Sequence, residues 1–289
     1  MKNREVIANL ILLTVAIIWG GGFIAGKVAL TTLSPAAVLM YRFSIGSLLC
    51  GLVFWKRIKK TPVKVIKKGI IIGVIQMTGL ILQLSGLQYT STANQSFLCT
   101  AYVALVPFLS WIVLRKRPEG KAFVAGVLAF IGIGLISLKG GLTIGLGDSL
   151  SIISSVAFGM QIVVIGLLVD KDTDVFQLSF FQLLTAAVVS FGICLAQGNL
   201  INTFETASTM GVLYLGVFNT FVAFLGQNYG QKYTTDTVAA LIMSLESVFG
   251  FLLSVLYYDE VITVKFILGS LLCFVAILLN TVNIKKESS

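Results

Sequence analysis

Long apolar stretches alternate with short polar segments along the whole chain. Ten of these stretches hold 17 to 25 residues each, and about 20 helical residues cross the roughly 30 Å of bilayer hydrocarbon. The predicted spans are Val6–Leu30, Ala36–Trp55, Gly69–Leu87, Ala93–Leu114, Ala122–Leu138, Ser149–Val169, Phe176–Ala196, Met210–Tyr229, Val238–Tyr258 and Phe266–Ile284. We therefore predict an all-α polytopic membrane protein with ten transmembrane helices packed as one bundle.

Composition supports a lipid environment. Of the 289 residues, 57% are hydrophobic and 11% are charged, against about 25% charged in an ordinary soluble domain. The net charge of +9 would favour nucleic-acid binding in a soluble protein. Here the basic residues cluster between apolar stretches, at Lys56–Lys68 and Arg115–Lys121, as in cytoplasmic loops that face anionic headgroups. We expect the lipid bilayer as a partner and no nucleic acid.

The distribution of basic residues predicts the orientation. The first apolar stretch continues past Trp19 to Leu30 without a small-residue cleavage site, so we interpret it as a span rather than a signal peptide. With the N-terminus inside, 17 of the 21 lysines and arginines fall in cytoplasmic segments, whereas the outer loops hold Lys139 and Lys265. The positive-inside rule then predicts a multi-pass protein of the cell (plasma or inner) membrane with both termini in the cytoplasm.

The two halves of the chain repeat each other. The segment Gln88–Ala93 aligns with Lys232–Thr237 at an offset of 144 residues. The same offset pairs Gln83 with Gln227, Tyr102 with Glu246 and Lys116 with Glu260, and an offset of 139–140 pairs Trp19 with Phe158 and Arg42 with Gln182. Each half holds five spans, an odd number, so residues 145–289 should form an inverted copy of residues 1–144. Inverted repeats are typical of secondary transporters, which bind substrate near the midplane between the halves.

Several motifs carry a resemblance to a known family. They are Trp19-Gly20-Gly21-Gly22-Phe23 with Lys27 in span one, Arg42-Phe43 in span two, and Ser244–Phe249 in span nine, followed by Glu260. In this order and spacing the chain resembles the drug/metabolite transporter superfamily, specifically its EamA-type ten-helix branch, over essentially its whole length. The resemblance implies transport, often export, of amino acids or similar metabolites. Ser247 stands where that family often has proline, which leaves open whether span nine is kinked there.

Ionisable side chains within spans need a reason, since each costs about 2.5–3.5 kcal/mol on insertion scales. Glu246 lies roughly 12 Å from the inner boundary and Arg42 roughly 10 Å from the outer one, by the rise of a helix. Their separation in depth of about 8 Å suits a zwitterion, with Arg42 on a carboxylate and Glu246 on an ammonium. Glu246 is also the candidate for proton coupling. The alternatives are a structural ion pair between the two residues and, for Arg42 and Lys27, snorkelling to the membrane surface.

Other residues complete the candidate substrate-binding site. The glycines beside Trp19 leave bare backbone that a substrate could approach or a point where the helix bends, and they also suit close helix packing. The glutamines Gln76, Gln83 and Gln227 fit a polar cavity and equally fit interhelical hydrogen bonds. The predicted substrate-binding set is Trp19, Gly22, Arg42, Gln76, Gln83, Tyr102, Gln227 and Glu246.

Transport of a small organic metabolite, most consistently an amino acid or related amine, is the function that these features favour. The alternatives are a receptor or structural membrane protein, a channel, and an intramembrane enzyme. The chain has no histidine, and its cysteines Cys50, Cys99, Cys194 and Cys273 all lie in apolar stretches without a CxxC pair. We therefore expect no enzyme, no metal, no disulfide and no cofactor. The small residues of spans five and ten suit close packing or a homodimer contact.

Overall fold

The computed structural model describes residues 2–115, 120–137, 144–199, 205–258 and 262–281. Its helices are α1 (Lys2–Ala29), α2 (Pro35–Ile58), α3 (Val63–Leu87), α4 (Thr92–Cys99), α5 (Tyr102–Leu114), α6 (Gly120–Ser137), α7 (Leu146–Leu168), α8 (Val175–Ala196), α9 (Thr206–Tyr214), a π-helical segment (Leu215–Val222), α10 (Ala223–Tyr233), α11 (Asp236–Ser244), α12 (Glu246–Tyr258) and α13 (Val264–Thr281). Glu260, Lys116 and Lys139 lie outside the described residues.

The described part of the chain is built from helices, as predicted for an all-α membrane protein. Within the described ranges, eight helical stretches are long and apolar enough to cross a membrane, and two shorter apolar helices cover Val124–Ile136 and Val264–Ala276. Helix α3 starts at Val63, six residues before the predicted span, because a hydropathy pattern ends at charged residues that a helix itself tolerates. Large apolar side chains such as Phe130 and Leu256 are more than three-quarters exposed, as a lipid-facing surface requires.

Two predicted spans are not single helices. Span four divides between α4 and α5 at Thr100–Ala101, and span nine divides between α11 and α12 at Leu245. At both points a backbone N–H donates to the carbonyl three residues earlier instead of four. These hydrogen bonds run from Ala101 N to Leu98 O and from Leu245 N to Ile242 O. The Thr100 hydroxyl donates to backbone carbonyls of the preceding turn, which competes with the regular helix pattern. The predicted spans Ala93–Leu114 and Val238–Tyr258 are therefore present as helical stretches of membrane length, each with a local break at its centre.

Span eight is also irregular at its centre. Helix α9 passes into the π-helical segment Leu215–Val222 and then into α10. A π-helical turn is wider than an α-helical one, is rare, and frequently occurs at functional sites. Gly46 of α2 packs on this segment, where an added Cβ would lie 2.6 Å from the Thr220 methyl carbon. The close approach brings α2 against the centre of span eight.

Close backbone contacts hold other helix pairs together. A Cβ at Gly147 would lie 2.7 Å from the carbonyl oxygen of Gly86, which joins α7 to the end of α3. A Cβ at Gly132 would lie 2.6 Å from the carbonyl oxygen of Gly269, which joins α6 to α13. The main buried core lies between α2, α3 and α8 and continues onto the centre of span eight. These contacts leave a cavity at the centre of the bundle.

Candidate functional site

A cavity of about 60 Å³ lies where the broken helices, the π-helical segment and the centre of α1 meet. Its walls come from both halves of the chain. They are formed by Trp19, Gly22, Phe23, Arg42, Leu80, Gln83, Leu84, Leu87, Tyr102, Phe158, Gln161, Ile162, Asn219, Phe224, Gln227 and Glu246. Seven of the eight residues that the sequence suggested for the site thus line one cavity.

Arg42 is the cationic group of the cavity wall. Its side chain is 3% exposed; Nε donates to Thr220 Oγ1 at 2.8 Å and Nη2 donates to Asn219 Oδ1 at 2.6 Å. Both acceptors lie on the π-helical segment, so the irregular turn presents two oxygens to one guanidinium. The Trp19 indole N–H donates to the carbonyl oxygen of Asn219 at 3.1 Å, which fixes the same turn against α1.

Among the residues that the structure describes, no carboxylate forms an ion pair with Arg42. Within the described part of the chain, the ion pairs are Lys68 with Asp170 at 2.8 Å and Arg57 with Asp174 at 3.5 Å. No ion pair joins Arg42 to Glu246, although both side chains are described. Thus the purely structural salt bridge considered from the sequence is absent from this conformation. A buried cation held by neutral oxygens can bind an anionic group of a ligand with a charge-assisted hydrogen bond.

Glu246 is the anionic group of the wall. It begins α12, immediately after the break at Leu245, and is 7% exposed. The backbone N–H groups at a helix start favour a negative charge. Tyr102 begins α5 after the other break. Its hydroxyl donates to Glu246 Oε1 across 3.5 Å. The two interrupted helices therefore bring their first residues together at the cavity.

The glycine run of α1 serves close packing on three neighbours. A Cβ at Gly20 would lie 2.5 Å from Phe249 Cβ, and one at Gly21 would lie 2.5 Å from the Tyr214 hydroxyl oxygen. Gly22 faces the Asn219 side chain and also lines the cavity. Helix α1 continues without a break through all three glycines. Close helix packing therefore accounts for Gly20 and Gly21. Gly22 both packs closely on a neighbouring helix and contributes to the cavity wall.

The predicted glutamines separate into two sites. Gln83 and Gln227 line the cavity. Gln76 lies about 10 Å further along α3, by the rise of a helix, and accepts a hydrogen bond from Gln182 Nε2. Asn228 Nδ2 donates to Ser179 Oγ and to Gln182 Oε1, so Gln76 belongs to a buried polar cluster of α3, α8 and α10 rather than to the cavity wall.

Lys27 stabilises the end of a neighbouring helix. Its ammonium donates to the carbonyl oxygens of Leu87 at 2.6 Å and Thr90 at 3.0 Å. The carbonyl groups that end a helix lack intrahelical partners and favour a cation. The lysine therefore connects α1 to the C-terminus of α3.

Sequence reasoning missed two polar residues of the cavity wall, Asn219 and Gln161. Gln161 is the single amide of the predicted span Ser149–Val169, and Asn219 is one of three amides in Met210–Tyr229. An amide within an apolar stretch is the signal that could have identified both. Gln161 and Gln227 are 2% and 1% exposed. Gln161 Nε2 and Gln227 Oε1 have no hydrogen-bond partner among the residues that the structure describes.

Most residues of the cavity wall correspond between the two halves of the chain, at the offsets of 139 and 144 residues found in the sequence. Trp19 and Phe158, Gly22 and Gln161, and Phe23 and Ile162 stand 139 residues apart, while Leu80 and Phe224, Gln83 and Gln227, and Tyr102 and Glu246 stand 144 apart. Twelve of the sixteen lining residues form such pairs. Two hydrogen bonds also correspond between the halves. Arg42 and Gln182, which stand 140 residues apart, are the donors, and their acceptors Thr220 and Gln76 stand 144 residues apart.

Side chains that could bind a metal ion are scattered over the described residues. Across the described ranges, no group of three or more His, Cys, Asp or Glu side chains is placed to hold a metal ion. Cys50, Cys99 and Cys194 are buried as free thiols, and Cys273 is a partly buried free thiol.

Membrane-length helices around a central cavity with charged groups in its wall form the architecture of a polytopic membrane transporter. The chain belongs to the EamA-like transporter family, whose sequence profile matches residues 6–138 and again residues 145–282. This match confirms the resemblance drawn from the motifs of spans one, two and nine.

Relatives of this chain carry transporter names. An uncharacterized transporter of Archaeoglobus fulgidus is 34% identical over 280 residues, which cover 96% of this chain and 86% of the relative. The uncharacterized inner membrane transporter YhbE of Escherichia coli K12 is 29% identical over 46% of this chain and 43% of its own length. A solved crystal structure superposes with a TM-score of 0.72 over 98% of this chain and 99% of that one, at 16% identity; it supports the fold alone.

Proposed function

We propose that this protein is a secondary transporter that moves a small zwitterionic metabolite, an α-amino acid or a related amine, across the plasma or inner membrane by alternating access. The observation that carries the proposal is the pair of opposite charges in one cavity wall, Arg42 and Glu246, which do not pair with each other. A substrate carboxylate would bind the Arg42 guanidinium, and its ammonium would bind Glu246. We take export as the direction, which rests on the family resemblance.

The cavity's size and walls suit a small substrate. Its volume of about 60 Å³ leaves room for a small solute. The remaining wall is largely apolar, with Trp19 and Phe158 facing the same space as Leu80. Binding sites for small molecules combine such walls with a few placed polar groups. A small zwitterion such as an amino acid matches these demands.

We further propose that the two halves, 1–144 and 145–289, are inverted repeats of five spans each, which gives ten spans in total. The family profile matches each half separately. The breaks at Ala101 and Leu245 stand 144 residues apart, as do Tyr102 and Glu246. Alternating access through inverted repeats exchanges the packing of the two halves around a fixed site. The paired cavity wall supports this arrangement.

Proton coupling through Glu246 is part of the proposal. The carboxylate lies in the wall of a largely apolar cavity, and its described partner is a single hydroxyl at 3.5 Å. Low-dielectric surroundings disfavour a charged carboxylate unless a cation accompanies it. A substrate ammonium or a proton can each neutralise it. Exchange between the two would couple transport to a proton gradient.

Uptake into proteoliposomes tests the proposed function. The purified protein should exchange at least one radiolabelled α-amino acid in a panel that also holds amines, nucleosides and sugars. Arg42→Gln should lower the affinity for that amino acid about 10- to 100-fold, the usual cost of losing a charged hydrogen bond. Arg57→Gln, at an exposed ion pair, is the matched control. Exchange of an amine that lacks a carboxylate, unaffected by Arg42→Gln, would reject the amino-acid assignment but keep transport; exchange of nothing in the panel would reject both.

A further inference from the structure

Two buried amide groups of the cavity point to a third feature of the substrate. Gln161 Nε2 is a donor and Gln227 Oε1 is an acceptor, and neither has a partner among the described residues. Both side chains are at least 98% buried and line the same cavity as Arg42 and Glu246. Buried polar groups of proteins are almost always hydrogen-bonded. Because both amides line the cavity, a bound substrate can supply partners for them.

We infer that Gln161 and Gln227 form a subsite for a carboxamide, and that the substrate is an amino acid with a carboxamide side chain, asparagine or glutamine. A primary carboxamide presents one carbonyl acceptor to Gln161 and N–H donors to Gln227. Interchanging the O and N atoms of both glutamines leaves one donor and one acceptor, so the complementarity persists. This inference rests on the proposed function, because Arg42 and Glu246 are assigned to the carboxylate and the ammonium.

Other side chains satisfy the pair less well. A carboxylate side chain can accept from Gln161 but offers nothing to the Gln227 carbonyl, and an ammonium side chain can donate but cannot accept. An apolar side chain leaves both atoms unpaired. Sites that hydrogen-bond a substrate group reject analogues that lack it far more strongly than apolar pockets reject a change of size. Gln161 and Gln227 would therefore determine specificity.

A competition assay on the unmodified protein tests the inference. Displacement of a bound radiolabelled amino acid would be compared for asparagine, glutamine, aspartate, glutamate, threonine, leucine and methionine. Asparagine or glutamine should bind at least tenfold more tightly than every other competitor. Amino acids that bind without this preference, or a preference for threonine, would overturn the carboxamide subsite while leaving the proposed function intact. Failure of every amino acid to bind would instead reject the proposed function.

Variants locate the preference in the cavity. Gln161→Leu and Gln227→Leu should each reduce the ratio of glutamine affinity to leucine affinity about tenfold or more. Gln88→Leu, at an exposed glutamine at the end of α3, should leave the ratio unchanged. An equal loss for both ligands would indicate a structural role and overturn the assignment. If a variant does not fold, the competition assay on the unmodified protein still decides.

Discussion

At the scale of single residues, the cavity combines one buried cation and one buried anion that do not neutralise each other. Arg42 is held by Thr220 and Asn219, whose oxygens are neutral. Glu246 contacts the Tyr102 hydroxyl. Burying a charge without a partner is costly, so these two residues need a reason beyond packing. A zwitterionic substrate would satisfy both at once.

The Glu246→Gln variant tests proton coupling. Glutamine preserves the shape of the side chain but cannot exchange a proton, so accumulation driven by a pH gradient should disappear. Glu5→Gln, on the exposed first turn of α1, should behave like the unmodified protein. The measurement is uptake into proteoliposomes with and without an imposed gradient. Gradient-driven accumulation at the normal rate by Glu246→Gln would show that the carboxylate does not carry the coupled proton.

Residue types in the sequence predicted most of the polar and charged residues of the cavity wall, because a polar or charged side chain in an apolar span is rare enough to be informative. Arg42, Glu246 and Gln227 were all found in this way. Gln76 was assigned to the same site because it shares a helix face with Gln83. The depth of each side chain and the neighbour it meets depend on packing, which places Gln76 beside Gln182. The π-helical segment that presents Asn219 to Arg42 has no sequence signal that we can identify.

At the scale of helices, irregularity is concentrated around the cavity. Spans four and nine break beside Tyr102 and Glu246, and span eight is π-helical beside Arg42. Hydropathy predicted where the spans lie, because uninterrupted apolar stretches of membrane length are rare in soluble domains. It could not predict the breaks, since Leu245 and Ala101 are ordinary helix formers. Discontinuous helices at a midplane site are a recurring feature of transporters.

The contact between α3 and α7 gives a prediction for stability. A Cβ at Gly147 would lie within 2.8 Å of three backbone atoms of residues 86–90, which cannot move aside as a side chain can. Gly147→Ala should therefore destabilise the protein by about 1–3 kcal/mol, a typical cost of overpacking, measured as a lower midpoint of thermal unfolding. Gly192→Ala is the control, because nothing lies within 4 Å of its added Cβ. Equal midpoints for the two variants would contradict the close packing.

The loop between α7 and α8 gives a prediction for pH dependence. Hydrogen bonds from the Lys68 ammonium and the Thr173 hydroxyl lower the pKa of Asp170. A carboxyl group whose pKa is lower in the folded protein stabilises it above the unfolded value of about 3.9 and loses this effect as the pH falls. Asp170→Asn should thus lower the unfolding midpoint at pH 7, and this deficit should already be smaller at pH 3, because the effect is lost as the pH falls from the unfolded pKa through the lowered folded pKa.

The control for this experiment is Asp172→Asn, at an exposed aspartate of the same loop, which should leave the midpoint unchanged at both pH values. A deficit of Asp170→Asn that stays constant between pH 7 and pH 3 would mean that the charge of Asp170 is not what stabilises the loop.

At the scale of the whole molecule, the orientation remains a prediction from the distribution of basic residues. A cysteine introduced at Thr61, between α2 and α3, should react with a membrane-impermeant thiol reagent from the cytoplasmic side. A cysteine at Gly141, which lies outside the described residues, should react from the outside of intact cells. The native cysteines should stay unlabelled, because each lies buried or partly buried in a span. Labelling with the two sides reversed would overturn the orientation.

The most direct test of the central claim is exchange of a labelled α-amino acid by proteoliposomes that hold either the unmodified protein or the double variant Arg42→Gln, Glu246→Gln. If the two charges bind the ends of a zwitterionic substrate, the unmodified protein should exchange the label, and the folded double variant should neither bind nor exchange it. Recovery of exchange by the double variant, after loss in each single variant, would contradict the account. It would show that Arg42 and Glu246 pair with each other during the cycle rather than with the substrate.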